Sequence, residues 1–202
     1  MTPRVISIVG PTAAGKTALS LEIAERCGGE IVNLDAFQIY RGMDIGTAKP
    51  SSSQQQTVPH HLVDIVDIDF EASVAQFQEW ARFAIADITQ RGKVAICVGG
   101  SGLYVRAVFD NLTFPGTDAQ VRSRYESMLE ENGPEELYQL LVSKAPDVAQ
   151  HIASANTRRV VRALEVIELS GNFNPQLPDA EPVIDALKIG LNVERSILAQ
   201  RI

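Results

Sequence analysis

Residues 5–20 read VISIVGPTAAGKTALS and place a phosphate-loop pattern between two elements of regular structure. The pattern G-x-x-x-x-G-K-[ST] is met by Gly10, Pro11, Thr12, Ala13, Ala14, Gly15, Lys16 and Thr17. The β-branched run Val5–Val9 before it is typical of a buried parallel strand. Apolar residues at helical spacing over Lys16–Arg26 predict a helix after it, and Cys27-Gly28-Gly29 predicts a glycine stop. The strand, loop and helix together predict a diphosphate-binding site.

The chemistry of this loop assigns roles to two of its side chains. Its glycines allow backbone N–H groups to turn toward phosphate oxygens, and the helix dipole adds positive potential at the same place. Lys16 would neutralise the terminal phosphate, and the Thr17 hydroxyl would ligate Mg²⁺. The motif alone leaves open which diphosphate is bound.

Further segments predict the rest of a parallel sheet. Glu30–Leu34 and Lys93–Val98 are apolar runs, and Ile184–Leu191 reads as a strand that returns to the sheet. Leu62–Ile68 alternates apolar and acidic residues, so it predicts a strand or an extended edge. Helices are predicted around these strands at Val74–Arg91 with Ser73 as its cap, at Leu103–Phe109, and from Glu194 onward.

The pattern changes near Pro115, after which three helices are predicted with no strand between them. They cover Asp118–Asn132, Pro134–Lys144 and Asn156–Ser170. We therefore expect an α/β protein with a P-loop NTPase-like parallel sheet flanked by helices. Its core would comprise residues 1–112 and 178–202, and residues 113–177 would form a small helical subdomain inserted into it.

A carboxylate follows the second predicted strand instead of the third. Nucleotide hydrolases of the phosphate-loop type normally hold Mg²⁺ with an aspartate at the end of another strand. Here the strand Lys93–Val98 runs into Gly99-Gly100, which counts against a plain nucleotide hydrolase. Asp35 stands instead after the strand Glu30–Leu34, where the mouth of the sheet is expected to open.

Composition sets further limits. The net charge is −7, so any nucleic acid would have to be held by a local basic patch and not by general phosphate attraction. No apolar run approaches the roughly 20 residues that span a bilayer, and no signal-peptide layout is found. Cys27 and Cys97 are interpreted as reduced core thiols, and we expect a cytoplasmic, monomeric protein.

Several stretches together resemble the tRNA dimethylallyltransferases, also called tRNA isopentenyltransferases. They occur in the family's order over most of the chain, and YRGMDIGTAKP is highly specific to the family. The stretches are GPTAAGKTALS (10–20), NLDAFQIYRGMDIGTAKP (33–50), PHHLVDIVD (59–67), VGGSGLYVRAV (98–108) and NTRRVVRALEVIELSGN (156–172).

The resemblance implies a substrate for each half of a reaction. The bound diphosphate would belong to dimethylallyl diphosphate, although such proteins are often labelled ATP-binding from the motif. The acceptor would be the exocyclic amine of the adenine 3′-adjacent to the anticodon of tRNA, flipped into a channel through the protein. Asp35 would act as the general base for that amine. Lys16, Mg²⁺ and the loop amides would stabilise the departing diphosphate.

The resemblance also implies tRNA contacts. Asp35, Ala36, Phe37 and Gln38 would contact the target nucleotide, and Ser101 would lie at the channel. The family more often has threonine at 101, and Ala36-Phe37 replaces a segment that commonly begins with serine. The segment Arg158, Arg159, Val160, Val161 and Arg162 matches the family's tRNA-contacting segment, and Arg122 and Arg124 are further candidates. A solvated face that pairs with Glu165 and Glu168 is the alternative interpretation of these arginines.

Family members run on for roughly another 100 residues, within the usual size range of such domains. That part carries further helices, an arginine that helps to bind the diphosphate, and part of the tRNA grip, so the resemblance implies that this chain lacks them. Three alternatives remain at this stage. They are an enzyme that prenylates free AMP, ADP or ATP, a small-molecule phosphate-loop kinase, and a remnant that binds without catalysis.

Overall fold

The computed structural model describes residues 4–201; residues 1–3 and Ile202, which the predicted core ranges include, lie outside the described residues. The elements in chain order are β1 (Val5–Val9), α1 (Lys16–Cys27), β2 (Glu30–Asn33), α2 (Ser52–Thr57), β3 (His60–His61), α3 (Val74–Gln90), β4 (Ala95–Gly99), α4 (Gly102–Phe109), α5 (Ala119–Lys144), α6 (Pro146–Ala149), α7 (Thr157–Ser170), β5 (Leu187–Gly190) and α8 (Arg195–Arg201).

Five strands form one parallel sheet in the order β3-β2-β4-β1-β5. Val9 at the end of β1 pairs with Gly99 on one side and Gly190 on the other, and Asn33 pairs with Val98. Because all the strands are parallel, the segments that follow β1, β2 and β4 emerge side by side at the carboxyl edge of the sheet. The predicted α/β class and parallel sheet are confirmed.

The strands β1, β2 and β4 are buried on both faces of the sheet, and their neighbouring residues, which point in opposite directions, join two different apolar clusters. Val5, Val32 and Cys97 join the apolar cluster that contains the buried stripe of α3. Ile6, Ile8 and Ile96 join a second cluster, which includes Ala24 of α1. The continuous apolar runs in the sequence follow from this two-sided burial.

Ser73 and Gly28 are confirmed as helix-capping positions, whereas other predicted ends of α1, α3, α4 and α8 differ from the structure by one residue. Ser73 and Gln76 form a reciprocal capping box at the start of α3, which satisfies two backbone N–H groups. Gly28 ends α1 in the left-handed conformation at φ 64°, a geometry that glycine adopts without strain.

Leu62–Ile68, for which a strand or an extended edge was predicted, does not form a regular strand. The third strand consists of His60–His61 alone, parallel to β2. Leu62 and Asp64 follow at φ 61° and 55°, and such positive values take the backbone out of the extended region. Farther on, Val66 forms only an isolated bridge with Tyr40.

Other differences are smaller. Lys93 and Val94 precede β4 instead of belonging to it, and β5 covers only the second half of the predicted strand. The short helix α6 was not predicted. Cys97 is buried, and burial raises the pKa of its thiol, but Cys27 at the end of α1 is exposed and is not the core thiol that was expected.

The chain divides into two compact units. One contains the residues up to Leu112 and those from Ala180 onward, and it holds the sheet; the other is Thr113–Asp179. The predicted boundaries were 112/113 and 177/178. The second unit has its own apolar core, in which Tyr125, Leu137, Leu141, Val160 and Leu164 are buried. Within it, α5 is interrupted at Gly133 (φ 85°, ψ 171°), between the two helices that were predicted there.

Candidate functional site: the phosphate loop and the carboxyl edge of the sheet

The loop between β1 and α1 adopts a backbone that its small residues permit. Ala13 and Gly15 have positive φ values of 62° and 93°, and Gly15 is the N-cap of α1 without a capping side chain. The first N–H groups of α1 are therefore not capped by the residue that precedes them. Backbone N–H groups at a helix N-terminus, beside a glycine-rich turn, are a general means of binding phosphate.

Lys16 lies back over the loop that precedes it. Its Nζ donates to the carbonyl oxygens of Gly10 at 3.0 Å and Pro11 at 2.9 Å. Burial lowers the pKa of Lys16 below its usual value, and the carboxylate of Asp35 opposes that shift. The predicted diphosphate ligand Lys16 and the predicted base Asp35 are thus close enough to interact electrostatically.

Asp35 is held in a hydrogen-bonded turn directly after β2. Its Oδ1 accepts from the backbone N–H of Phe37 at 2.9 Å, and its own N–H donates to Oδ1 of Asn33 at 3.1 Å. The Asn33 amide in turn donates to the carbonyls of Asp35 and Leu62. Among the described residues, no hydrogen bond is recorded for Oδ2 of Asp35, so this oxygen is available to a ligand.

Tyr104 lies within electrostatic reach of Asp35. Burial raises the pKa of Tyr104, and Tyr40 and the Asp35 carboxylate each raise it further. The Tyr104 ring packs edge-on against Phe77 with ring centroids 4.8 Å apart. The position of Tyr104 near Asp35 was not predicted. Its position one turn into α4, after the glycines that end β4, is the signal from which it could have been found.

The glycines at the end of β4 allow the neighbouring strand ends to lie close together, because a side chain there would meet backbone atoms. A Cβ built on Gly99 would lie 2.7 Å from the carbonyl oxygen of Leu34, and a Cβ on Gly100 would lie 3.0 Å from that of Gly10. Lys16 Nζ would be 3.5 Å from the same Gly100 Cβ. Ser101, the predicted channel residue, follows directly; it is exposed and is the N-cap of α4.

The other predicted nucleotide contacts differ in availability. Ala36 is half-buried and the Phe37 ring is 59% exposed, so Phe37 presents an aromatic surface beside Asp35. The Gln38 amide is already used, because its Nε2 donates to the carbonyls of Thr47 and Ala48. Gln38 therefore holds the loop at Thr47 and Ala48 in place, in addition to lying close to Asp35 in sequence.

The family-specific stretch around residue 45 owes its conformation to Lys49. The side chain of Lys49 is 4% exposed, and its Nζ donates to the carbonyl of Tyr40 and to the carboxylates of Asp44 and Asp64. Burial acts to lower the pKa of Lys49, but the two carboxylates outweigh it and the pKa is raised. Arg41 similarly donates to Asp67 and to the carbonyl of Ile65.

A groove of about 500 Å³ lies elsewhere on the sheet unit, with His60, Trp80 and Phe83 among its lining residues. None of the predicted site residues lines it. Its mainly apolar walls suit neither a diphosphate nor Mg²⁺. We therefore place the candidate site at the phosphate loop and not in this groove.

Mg²⁺ can be accommodated at the loop only together with a ligand. Among residues 4–201, no group of three or more His, Cys, Asp or Glu side chains could hold a metal ion by itself. Mg²⁺ typically takes few protein ligands and is completed by substrate phosphates and water. The Thr17 hydroxyl, at the start of α1 beside the loop amides, fits that arrangement.

In the helical unit, several predicted arginine contacts are occupied by acidic partners. Glu165 is fully buried; it accepts from Arg162 at 2.8 Å, from Arg122 at 3.3 Å and from the backbone N–H of Asp118 at 2.9 Å. Burial acts to raise the pKa of Glu165, but these donors outweigh it and the pKa is lowered. The pairing with Glu165 in the alternative interpretation thus holds for Arg162, although Glu165 is buried and does not lie on a solvated face; Arg122 pairs with the same carboxylate.

The same applies to Arg124 but not to the start of α7. Arg124 pairs with Glu168, which also accepts from the Tyr125 hydroxyl at 2.7 Å. Arg159 is exposed and donates to the carbonyl of Pro175. Arg158 is exposed, and no ion pair or hydrogen bond of its side chain is recorded among the described residues. Arg158 and Arg159 are thus the cations in this segment without an acidic partner there.

Val160 and Val161, for which the resemblance also implies tRNA contacts, are buried in the helical unit. Their side chains are 1% and 5% exposed and belong to the apolar core of the helical unit. At 3.6 residues per turn, a continuous run of five helical residues cannot lie on one face, so part of the predicted segment must point inward.

The comparisons with known proteins agree with this geometry. The family model described as IPP transferase matches residues 38–202. A tRNA dimethylallyltransferase of Streptomyces griseus is 52% identical over 99% of this chain and 64% of its own length. One from Bifidobacterium longum is 51% identical over 100% of this chain and 63% of its own length.

Solved structures of tRNA-modifying transferases also match this chain. The full-length tRNA isopentenylpyrophosphate transferase of Bacillus halodurans is 40% identical, with a TM-score of 0.62, over 99% of this chain and 63% of that one. A eukaryotic dimethylallyltransferase, captured acting on tRNA, is 28% identical, with a TM-score of 0.80, over 98% of this chain and 50% of that one.

The chain spans a little under two thirds of the length of these curated relatives. None of the described helices has the length and apolar character that a membrane span requires. The match to the family over most of the chain and the identity to its curated members lead to one conclusion. The chain belongs to the IPP transferase family.

Proposed function

We propose that this chain is the phosphate-loop part of an enzyme that moves a dimethylallyl group from dimethylallyl diphosphate to tRNA. The acceptor is the exocyclic N6 amine of the adenine 3′-adjacent to the anticodon. The observation that carries the proposal is that Lys16 and Asp35 interact electrostatically at the carboxyl edge of the sheet, where they follow β1 and β2, the two strands on either side of β4. It brings an anion-binding group and a proton acceptor to one site. Relatives named for this activity, at about half identity, support it.

The donor half of the reaction uses the phosphate loop. Loop N–H groups, the N-terminus of α1 and the Lys16 ammonium bind the diphosphate, and Lys16 leaves the Gly10 and Pro11 carbonyls to do so. Thr17 would hold Mg²⁺, which would supply charge neutralisation at the diphosphate oxygens. As the bond between the allylic carbon and the diphosphate oxygen breaks, these groups stabilise the charge left on the leaving group.

The acceptor half uses Asp35. An adenine amine is a weak nucleophile, because its lone pair is delocalised into the ring. Asp35 Oδ2 accepts a hydrogen bond from this amine, orients it, and takes its proton as the nitrogen–carbon bond forms. Asn33 and the Phe37 N–H fix the turn that carries the carboxylate, so little reorganisation is needed at the moment of reaction.

The tRNA is held at two places. Phe37 offers a ring on which a flipped base can stack, and Ser101 offers a hydroxyl, both next to the diphosphate site. In the helical unit, Arg158 and Arg159 contact phosphates of the anticodon stem-loop. The substrate implies a cytoplasmic enzyme, and we propose that it works as a monomer.

The test is mass spectrometry of nucleosides from unmodified tRNA incubated with dimethylallyl diphosphate and Mg²⁺. Two proteins are compared: residues 1–202, and the same residues extended with the C-terminal part of the Streptomyces griseus relative. Each is also given AMP as the acceptor. We expect a dimethylallyl mass gain on adenosine from tRNA in at least the extended protein, and none on AMP.

The acceptor decides between the candidate reactions. Prenylated AMP with unmodified tRNA would replace the proposal with a mononucleotide prenyltransferase. No mass gain on either acceptor in either protein, with both proteins folded, would contradict the transfer reaction itself.

A further inference from the structure

Unfavourable backbone conformations are concentrated around the buried ammonium of Lys49. Four non-glycine residues among those described have positive φ values; apart from Ala13 of the phosphate loop, they are Ala48 at 52°, Leu62 at 61° and Asp64 at 55°. Such a conformation costs energy in an L-residue and persists only where the surrounding structure holds it. Ala48 directly precedes Lys49, and Asp64 accepts a hydrogen bond from it.

The three donors of Lys49 are all used within the protein. Its Nζ donates to the Tyr40 carbonyl at 2.8 Å, to Asp64 Oδ1 at 2.6 Å and to Asp44 Oδ1 at 2.7 Å. An ammonium group carries three N–H bonds, and the Lys49 side chain is almost fully buried. Lys49 therefore has no donor left for a substrate, and any effect that it has on the reaction must pass through its partners.

The segment that contains Asp64 holds both sides of the turn that carries Asp35. The backbone N–H of Asp64 donates to the carbonyl of Gln38 at 3.1 Å. Two positions earlier, the Leu62 carbonyl accepts from the Asn33 amide at 2.9 Å, and the same amide donates to the Asp35 carbonyl. Because Asn33 precedes Asp35 and Gln38 follows it, a shift of this segment would move the turn from both sides.

A second connection to the turn runs through the side chain of Gln38. Its Nε2 donates to the carbonyls of Thr47 at 2.9 Å and Ala48 at 3.2 Å, which belong to the two residues before Lys49. The ammonium thus fixes the backbone at Tyr40 and the carboxylate of Asp64, while the residues next to it hold the Gln38 amide. Loss of the ammonium would loosen both connections.

We propose that Lys49 is a positioning residue for Asp35, which acts through Asp64 and Gln38 to fix the turn that aims the carboxylate at the acceptor amine. This inference rests on the proposed function, in which Asp35 accepts the proton of that amine. It extends the function to a buried side chain that contacts neither substrate. Misplacement of a reacting group by about 1 Å can cost about 100-fold in rate, so indirect support of this kind bears on the transfer step.

Single-turnover transfer tests the proposal in the form of the protein, residues 1–202 or extended, that transfers the dimethylallyl group. Methionine is unbranched, so Lys49→Met fills the buried space without the ammonium. Asp44→Asn is the matched control, because Asp44 is largely exposed and its loss leaves the Lys49 contacts with Tyr40 and Asp64. We expect Lys49→Met to lower the rate at saturating substrates by about 10–100-fold with pyrophosphate affinity retained, and Asp44→Asn to stay near wild type.

A double-mutant cycle with Asp35→Asn separates positioning from a general structural role. If Lys49 acts through the Asp35 carboxylate, Lys49→Met should cost little more in the Asp35→Asn background, because the group that it positions is already absent. An equal loss in both backgrounds would overturn the proposal. So would a wild-type rate of Lys49→Met at saturating tRNA, with only tRNA affinity reduced.

Hydrogen exchange on residues 1–202 gives a readout that does not depend on transfer. The Phe37 and Asp64 amides are bonded at the turn and at its connection, and both should exchange faster in Lys49→Met. The amide of Ile96, buried in β4, should exchange as in wild type. Unchanged exchange at Phe37 and Asp64 would show that the turn is held without Lys49 and would overturn the proposal.

A second variant and a separate outcome keep the two claims apart. Thermal unfolding establishes that each variant is folded; if Lys49→Met is not, Asp64→Asn takes its place, since asparagine also tolerates a positive φ and removes the charge that faces Lys49. Failure of the proposed function appears as wild-type transfer by Asp35→Asn, whatever Lys49→Met does. Slow transfer by Asp35→Asn with normal transfer by Lys49→Met overturns the role of Lys49 alone.

Discussion

Lys16 experiences two opposing influences at the candidate site. Burial among the loop carbonyls disfavours its ammonium form and lowers its pKa, whereas the Asp35 carboxylate favours the ammonium form. The influence of Asp35 on this pKa requires the two groups to be close, and the proposed function depends on that proximity.

We predict that Asp35→Asn lowers the pKa of Lys16 further, because the influence that raises it is removed. Pyrophosphate should raise the same pKa, because it adds negative charge beside the ammonium. NMR titration of protein with ¹³C-labelled lysine measures both shifts, and the exposed Lys188 serves as an internal control. A Lys16 pKa that does not change in Asp35→Asn would mean that the two side chains do not share a site.

Single residues could be predicted where their contacts are local in sequence, and not where the fold brings distant residues together. The loop residues are contiguous in sequence, so a local motif was sufficient to identify them. Tyr104 lies near Asp35 only because parallel strands bring β2 and β4 together, which no local pattern encodes. The burial of Val160 and Val161 follows from the helical period of α7, which the matching segment taken as a whole does not distinguish.

At the scale of elements, the amino end of β2 is tied to its neighbours by one carboxylate. Glu30 is buried and accepts from Arg91 at 2.6 and 2.8 Å, from Lys93 at 2.7 Å and from His61 at 2.8 Å. These partners lie just after α3, just before β4 and in β3. One side chain thus connects three elements at the end of the sheet opposite the candidate site.

We predict that Glu30→Gln lowers the free energy of unfolding by about 3 kcal/mol near neutral pH, the cost of breaking a buried ion pair. Urea unfolding followed by Trp80, the single tryptophan, reports on the sheet unit. The control is Glu22→Gln, whose exposed pair with Arg26 is worth about 0.5 kcal/mol or less. Equal stability of wild type and Glu30→Gln would show that the network contributes nothing.

The pH dependence of this effect has a definite sign. The hydrogen bond from Arg91, with those from Lys93 and His61, holds the pKa of Glu30 well below its usual range. A carboxylate with a lowered folded-state pKa contributes stability above its unfolded pKa of about 4.3, and that stability is lost as the pH falls further. The gap between wild type and Glu30→Gln should therefore be full above about pH 5 and close progressively below it.

Elements were predictable where their ends carry recognisable residues. Ser73 and Gly28 marked helix ends correctly, because capping involves residues that are neighbours in sequence. The stretch after β3 alternates apolar and acidic residues, and this pattern resembles that of a strand. The backbone of Leu62 nevertheless has a positive φ, and its carbonyl accepts a hydrogen bond from the distant Asn33 amide. That contact spans 29 positions of the sequence.

For the whole molecule, the net charge of −7 requires that any RNA contact be local. Most arginines of the helical unit that were considered for this role pair with Glu165 or Glu168. The remaining candidates, Arg158 and Arg159, lie in the first turn of α7 without acidic partners among the described residues.

We predict that the double substitution Arg158→Ala, Arg159→Ala weakens tRNA binding and makes it less dependent on salt. Each lost phosphate contact should reduce the slope of log K against log salt by about 0.7–0.9, so the pair should reduce it by about 1.4–1.8. Filter binding of tRNA at several salt concentrations measures the slope, with Arg26→Ala as a control outside this unit. An unchanged slope would remove these arginines from the interface.

The architecture of the whole chain was predictable from its order of patterns. The alternation of predicted strands and helices indicated a parallel sheet, and the run of predicted helices without a strand indicated a separate helical unit. The approach of Arg201 to Ala13 was not predictable, because the side chain of one helix meets a loop near the other end of the chain.

The most direct test of the central claim is the rate of dimethylallyl transfer to tRNA by Asp35→Asn in the extended protein, measured in single turnovers beside its pyrophosphate affinity. Asparagine keeps an oxygen that can accept from the Phe37 N–H but cannot take a proton from the adenine amine. We predict a loss of about 10²–10⁴-fold in transfer, with pyrophosphate affinity retained. Transfer at the wild-type rate would contradict the claim that Asp35 and the phosphate loop form one active site.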